Sequence, residues 1–281
     1  MIAPAKRAVL LPSGETVPAL GLGTWNIGND QARRPQEIAA LREGIELGMT
    51  LIDTAEMYGD GRAEELVREA IQGRRDGAFL VSKAYPYNAG RDSLPKACER
   101  SLRRLGTDRI DLYLLHWRGG IALAETVAAF EALRKAGKVR HWGVSNFDVA
   151  DMEELVAAGG EACATNQVLY NFGRRGPEYD LLPWMERRRI PVMAYSPVAQ
   201  GNLPNSGVLA SIARKRGISV AQVALSWLLR RPDVIVIPKA AKVEHVRDNH
   251  KALGIALTGP ELAEIDQAYP GPERKVPLDM L

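Results

Sequence analysis

Eight short β-type runs alternate along the chain with segments whose apolar residues recur at helical spacing, and this alternation restricts the fold more than any other feature. The runs cover 20–24, 50–53, 79–83, 111–116, 139–145, 163–167, 191–195 and 234–237. Between them Ile38, Leu41 and Ile45, then Leu94, Ala97, Ser101 and Leu105, then Leu123, Val127 and Phe130, then Val220, Val223 and Trp227 fall on single helix faces. Strands followed one for one by helices predict a parallel sheet. Gly48, Gly73, Gly106, Gly137 and Gly217 stand where such helices must stop. Eight units within 281 residues match an α/β (β/α)8 TIM barrel. A doubly wound dinucleotide fold would show GxGxxG after its first strand, whereas Gly21-Leu22-Gly23 runs on into Thr24-Trp25. Ahead of the first run, Pro12-Ser13-Gly14-Glu15 separates 8–11 from 16–20 and predicts an N-terminal β-hairpin. No linker or low-complexity stretch divides the chain, so residues 1–281 are expected to form a single domain.

Charge argues against several classes of partner. Thirty-seven basic residues against 34 acidic ones leave +3, too small an excess to point to nucleic acid. The doublets Arg33-Arg34, Arg103-Arg104 and Arg230-Arg231 are expected to be scattered helix ends rather than one basic patch. No 18-residue apolar run suggests a membrane span, and residues 1–20 show no leader pattern. Cys98 and Cys163 have neither metal nor disulfide spacing and read as small buried hydrophobes, with no metal site and a cytoplasmic location expected.

In a (β/α)8 barrel, chemistry sits where strands end. The ends of the eight runs hold Thr24-Trp25, Asp53, Lys83, His116, Ser145-Asn146, Gln167, Tyr195 and Pro238-Lys239, with Tyr58 just past Asp53. Each alone has a structural explanation as a cap or packing group. Asp53, Tyr58, Lys83 and His116 together, from three consecutive strands, form a set able to act. Lys83 would favour the Tyr58 phenolate and narrow the gap between a phenol and neutral pH, Asp53 would hold Lys83 charged, and His116 would donate to an oxygen beside the phenol. Such a set suits protonation of a carbonyl oxygen as a carbonyl becomes an alcohol.

The chain resembles the aldo-keto reductases, and nearly its whole length carries the likeness in order. The matching stretches are Glu46-Leu47-Gly48-Met49-Thr50-Leu51-Ile52-Asp53-Thr54-Ala55-Glu56-Met57-Tyr58-Gly59, Val81-Ser82-Lys83, Asp111-Leu112-Tyr113-Leu114-Leu115-His116-Trp117, Gly143-Val144-Ser145-Asn146-Phe147, Asn166-Gln167-Val168, Ala194-Tyr195-Ser196-Pro197 and Ile237-Pro238-Lys239. This resemblance implies a catalytic tetrad of Asp53, Tyr58, Lys83 and His116, with Tyr58 as general acid and NADPH as hydride donor, NADH use being left open by this chain's departures from the family at Ala240 and His245. It implies that Ser145, Asn146 and Gln167 bind the carboxamide, that Tyr195 stacks on the nicotinamide, and that Thr24 and Asp53 lie near its ribose. Ser196, Pro197, Gln200 and Leu203 would border the pyrophosphate, and Pro238, Lys239, His245, Asp248 and Asn249 would hold the adenosine end. Trp25, Tyr85 and Trp117 match substrate-lining positions.

Many NADPH-preferring relatives have Ser and Arg where this chain has Ala240 and His245, so Lys239, helped by Lys242, is expected to carry the grip on the 2′-phosphate. The short tail over 270–281 is expected to leave a more open pocket, and Ala268-Tyr269-Pro270 with Leu278-Asp279-Met280, together with Leu181-Leu182-Pro183-Trp184, is similar to bacterial reductases of methylglyoxal and other small aldehydes. Two other readings compete: a Schiff-base aldolase using Lys83, which the paired Asp53 disfavours, and a cofactor-binding sensor subunit with little turnover.

Overall fold

Strands that are apolar on both faces need cover on both sides, and a parallel barrel inside a ring of helices provides it. The computed structural model describes residues 7–203 and 206–281; the first six residues of the segment examined for a leader lie outside that range. β1 (Ala8–Leu10) and β2 (Thr16–Pro18) form the expected antiparallel hairpin. Eight strands then pair in parallel in chain order: β3 (Leu22–Gly23), β4 (Leu51–Asp53), β5 (Phe79–Ala84), β6 (Ile110–Leu115), β7 (Val139–Ser145), β8 (Asn166–Leu169), β9 (Val192–Tyr195) and β10 (Val234–Val236). Parallel bridges Leu20–Val236 and Gly23–Lys239 join the first strand to the last, closing the (β/α)8 barrel. The approach at this seam is tight. A Cβ on Gly23 would sit 2.8 Å from the Ile237 carbonyl oxygen.

Among the described residues ten helices surround the barrel: α1 (Arg34–Glu46), α2 (Arg62–Ala70), α3 (Ser93–Leu105), α4 (Leu123–Lys135), α5 (Val149–Ala157), α6 (Leu181–Arg187), α7 (Val208–Arg216), α8 (Val220–Leu229), α9 (Val243–Lys251) and α10 (Gly259–Ala268). α3 shows how they seat: Leu94, Ala97, Cys98, Ser101, Leu102 and Leu105 are buried, and Gly106 closes the helix at φ 64°. Capping boxes at Asp148/Asp151, Ser219/Gln222 and Thr258/Glu261 start α5, α8 and α10. At the N-terminal end of the barrel, Glu15 of the hairpin turn takes hydrogen bonds from Arg140 at 2.7 Å and meets His141 at 2.7 Å, locking the hairpin over that end.

Outside the active site, the structure departs from the sequence reading in three places. β8 begins at Asn166 rather than 163, because Pro191 opposite has no N–H to offer and the ladder to β9 opens only at Asn166–Val192. The one-for-one alternation fails between β9 and β10, where both α7 and α8 intervene. The arginines are also less scattered than expected. Arg34, Arg103 and Arg104 converge with Arg68, Arg75 and Arg100 on a groove of about 940 Å³ on the barrel flank, where Glu69, Glu64, Asp111 and Glu56 pair with four of the six. Both cysteines are buried and free, and desolvation pushes each thiol up to about 12. Among the described residues no helix is long and apolar enough to cross a membrane.

Candidate active site

Adjacent strands deliver the four ionisable groups to one point. Asp53 ends β4, Lys83 lies one residue from the end of β5, His116 follows β6, and Tyr58 opens the short 3-10 turn after β4. The Lys83 ammonium is fully buried and its three directions are taken: Asp53 at 2.8 and 2.9 Å, the Thr54 carbonyl at 2.9 Å and the Tyr58 hydroxyl at 3.0 Å. Asp53 Oδ1 also accepts from Gln167 Nε2 at 2.7 Å, so β8 is tied to the same charge pair. Asp53, Lys83 and Tyr58 therefore form one hydrogen-bonded cluster, and the ring of His116, the fourth residue expected from the sequence, lies 5.8 Å from that of Tyr58.

The electrostatics correct one expectation. Burial, then the negative charge of Asp53, raises the Tyr58 phenol well above its usual value, so Lys83 does not narrow the gap in the resting site. Burial likewise lowers Lys83 despite the opposing pull of Asp53. Tyr58 thus rests as a neutral phenol that holds its proton, with an ammonium 3.0 Å away to meet charge on its oxygen when that proton leaves. His116 is pushed down to about 2 by burial and by Lys83, leaving a neutral imidazole able to donate one hydrogen bond. Its Nδ1 is buried without a partner.

Rings form an arc around this cluster. Trp25 packs edge-on to Tyr58 at 5.0 Å, His116 lies 5.0 Å from Trp117, Trp117 5.9 Å from Tyr85, and Tyr85 stacks on Tyr87 at 4.8 Å. Trp25 and Tyr87 are exposed at the two rims. Trp25, Tyr85 and Trp117 lie along this arc, and so does Tyr87, which as a lone loop tyrosine gave no reason to be selected.

On the opposite side, the Tyr195 hydroxyl donates to Asn146 Oδ1 at 3.0 Å, Asn146 Nδ2 reaches Ser145 Oγ at 3.1 Å, and Ser145 donates to the Gln167 carbonyl at 2.8 Å. Thr24 donates to the Asp53 carbonyl at 2.9 Å. Backbone strain gathers here: among the described residues seven non-glycines have left-handed φ, and six of them, Asn26, Asp60, Asn146, Ser196, Ala199 and Gln200, lie in loops leaving strand C-termini. Pro197 is buried, and Leu203 is half-buried in the same loop as Gln200. Across the seam Lys239 and His245 are exposed, while Pro238, Ala240 and Asn249 are buried. Asp248 is otherwise engaged, accepting from Ser219 Oγ at 2.5 Å and Gln222 Nε2 at 2.8 Å, so its carboxylate pins α9 to the start of α8. The S-x-x-Q pattern at Ser219 was the signal for that cap. Residues near the end of the chain pair with the segment that follows β8. Lys275 pairs with Asp180 at 3.3 Å, and Arg174 meets Asp279 at 3.5 Å.

The sequence profile of the aldo/keto reductase family matches residues 19–270. The chain is 55% identical over 95% of its length to the methylglyoxal reductase YeaE of Escherichia coli K12, covering 96% of that protein, and 34% identical over 93% of its length to the glyoxal reductase of Bacillus subtilis, covering 92%. It is similar, at 54% identity and a TM-score of 0.96, to an aldo/keto reductase of Klebsiella pneumoniae solved with NADP and acetate, with 99% of this chain and 100% of that one covered. On these grounds, with its closed parallel barrel and strand-end cluster, this chain belongs to the aldo/keto reductase family.

Proposed function

We propose that this protein reduces small aldehydes, methylglyoxal among them, to alcohols with NADPH, Tyr58 being the general acid. The observation that carries the reading is the 3.0 Å contact from the fully buried Lys83 ammonium to the Tyr58 hydroxyl, beside a neutral His116. NADPH, when bound, supplies the hydride that the carbonyl carbon accepts. The linked hydroxyl, amide and phenol of Ser145, Asn146 and Tyr195 match the donors and acceptors of a flat ring bearing a carboxamide, and exposed Lys239 offers a cation for a phosphate at the far end.

In this reading His116 donates a hydrogen bond to the carbonyl oxygen and holds it near Tyr58, polarising it without giving up a proton. Tyr58 transfers its proton to that oxygen as negative charge builds there, and Lys83 meets the charge left on the phenolate. Asp53 and the Thr54 carbonyl keep the ammonium aimed. The arc of rings excludes water and seats a small, flat substrate. The names of the two methylglyoxal and glyoxal reductases above support the substrate class, and the NADP in the Klebsiella structure supports the cofactor. A soluble, cytoplasmic enzyme is consistent with this chemistry.

The test is steady-state oxidation of NADPH and NADH with methylglyoxal and a panel of aliphatic and aromatic aldehydes, with Tyr58→Phe in parallel. Loss of the acid should lower kcat on the order of 10²- to 10⁴-fold and leave cofactor binding intact. Unchanged turnover in Tyr58→Phe would remove Tyr58 from its role. Silence across the panel despite tight NADPH binding would favour the sensor reading.

A further inference from the structure

Glu56 lies two residues before Tyr58 and is buried, yet the chemistry above makes no use of it. Its oxygens are divided. Oε1 accepts the backbone N–H of Tyr85 at 2.8 Å and the side-chain amide of Asn88 at 2.8 Å, whereas Oε2 faces only Arg100, at 3.4 Å. Its own backbone N–H meets the Lys83 carbonyl at 3.3 Å, so the residue is seated on the same strand end as the ammonium. Tyr85 is the first residue beyond β5 and precedes Pro86, where the strand ladder has ended and its N–H needs an acceptor from elsewhere. Glu56 Oε1 is that acceptor, and through Asn88 it also clasps the far end of the 3-10 turn Pro86–Asn88. The turn carries Tyr87, stacked on Tyr85, which in turn meets Trp117 edge-on. One carboxylate oxygen therefore holds both ends of the segment that supplies the outer part of the aromatic arc.

We propose that Glu56 is a positioning residue for the substrate pocket: Oε1 fixes the 85–88 segment, and with it Tyr85 and Tyr87, so that Glu56 governs affinity for the carbonyl substrate without touching the reacting atoms. The inference rests on the proposed function for its kinetic part and on geometry alone for its structural part. The division of labour between the two oxygens makes it testable. Glu56→Gln keeps a carbonyl oxygen in the place of Oε1 and exchanges the charged acceptor facing Arg100 for a neutral NH2 donor; Glu56→Ala removes both.

The experiment compares wild type, Glu56→Gln, Glu56→Ala and Arg100→Ala by steady-state kinetics with methylglyoxal and by hydrogen exchange at the Tyr85 amide, which reports the Oε1 bond directly without turnover. Glu56→Ala should raise KM about tenfold or more, hold kcat within about twofold, leave NADPH affinity unchanged, and strip protection from the Tyr85 amide. Glu56→Gln and Arg100→Ala should keep wild-type KM and protection. Should Glu56→Ala fail to fold, Asn88→Ala removes one of the two bonds to Oε1 and should raise KM to a smaller extent. A Gln variant as impaired as the Ala variant, a kcat loss at constant KM, or a Tyr85 amide still protected in Glu56→Ala would each overturn the proposal. If the wild type reduces no carbonyl at all, the proposed function fails, and the Tyr85 amide alone still decides whether Glu56 holds the turn.

Discussion

Replacing Lys83 by methionine separates what the buried charge pair does for the fold from what it does for the chemistry. Lys83 is fully buried and nearly isosteric with methionine, so packing is retained while Asp53 loses its counter-ion and keeps only the Gln167 amide. An uncompensated buried charge costs about 3–5 kcal/mol, about a fifth or more of the stability of a typical protein. At about 2–4 °C per kcal/mol for a chain approaching this size, the melting temperature should fall by on the order of 10 °C. The second loss is kinetic: without the ammonium 3.0 Å away, charge forming on Tyr58 is unsupported, and kcat should drop about 10²- to 10³-fold. The double variant Lys83→Met/Asp53→Asn distinguishes the two, because removing both charges abolishes the penalty of the orphan. Urea denaturation of the double variant should recover most of the lost stability while its turnover with methylglyoxal stays as low as that of Lys83→Met. A double variant less stable than the single one would show that the ion pair itself stabilises the barrel and that this reasoning is wrong.

Three other outcomes are expected. Lys239→Ala should weaken NADPH by about 1.5–3 kcal/mol and NADH far less, since a charge-assisted bond to the 2′-phosphate is lost; equal losses in fluorescence titrations would disprove the placement of the adenosine end. His116 is held to about 2 in the fold against 6.5 when unfolded, so the unfolded chain alone takes up a proton as pH falls below 6.5, and the penalty grows by about 1.4 kcal/mol per pH unit. Relative to wild type, His116→Asn should therefore gain about 2–3 kcal/mol between pH 6.5 and 4.5 in denaturant titrations; a pH-independent difference would contradict the burial of His116 as a neutral ring. Gly23→Ala, whose Cβ would come 2.8 Å from the Ile237 carbonyl oxygen, should cost about 1–3 kcal/mol; a neutral effect on the melting curve would mean the seam is looser than its geometry.

The barrel and the cluster were legible in the chain because both depend on local signals. Apolar runs of four to eight residues mark strands whatever lies beside them, and Asp53, Lys83 and His116 stand out as polar groups at the ends of such runs. The features that escaped depend on neighbours distant in sequence. Nothing near Glu56 says that Tyr85 and Asn88 will return to it, and the start of β8 was set by a proline on the next strand. The upward shift of Tyr58 comes first from burial, which no spacing in the chain reveals, and then from Asp53. The bonds from Ser219 and Gln222 to Asp248 likewise join residues almost thirty positions apart.

The seam between the first barrel strand and the last has a consequence for how the chain is made. Leu20 pairs with Val236, and Gly23 with Lys239. During synthesis, strands from β3 to β9 can zip side by side as each emerges, but the ring has no closing partner until the residues around 236–239 have left the ribosome. Until then an open sheet presents two bare edges, the arrangement most prone to wrong pairing between nascent chains. The residues that finish the ring are also those proposed to grip the cofactor's adenosine end, so a chain truncated before them would lack both its closure and its phosphate cation.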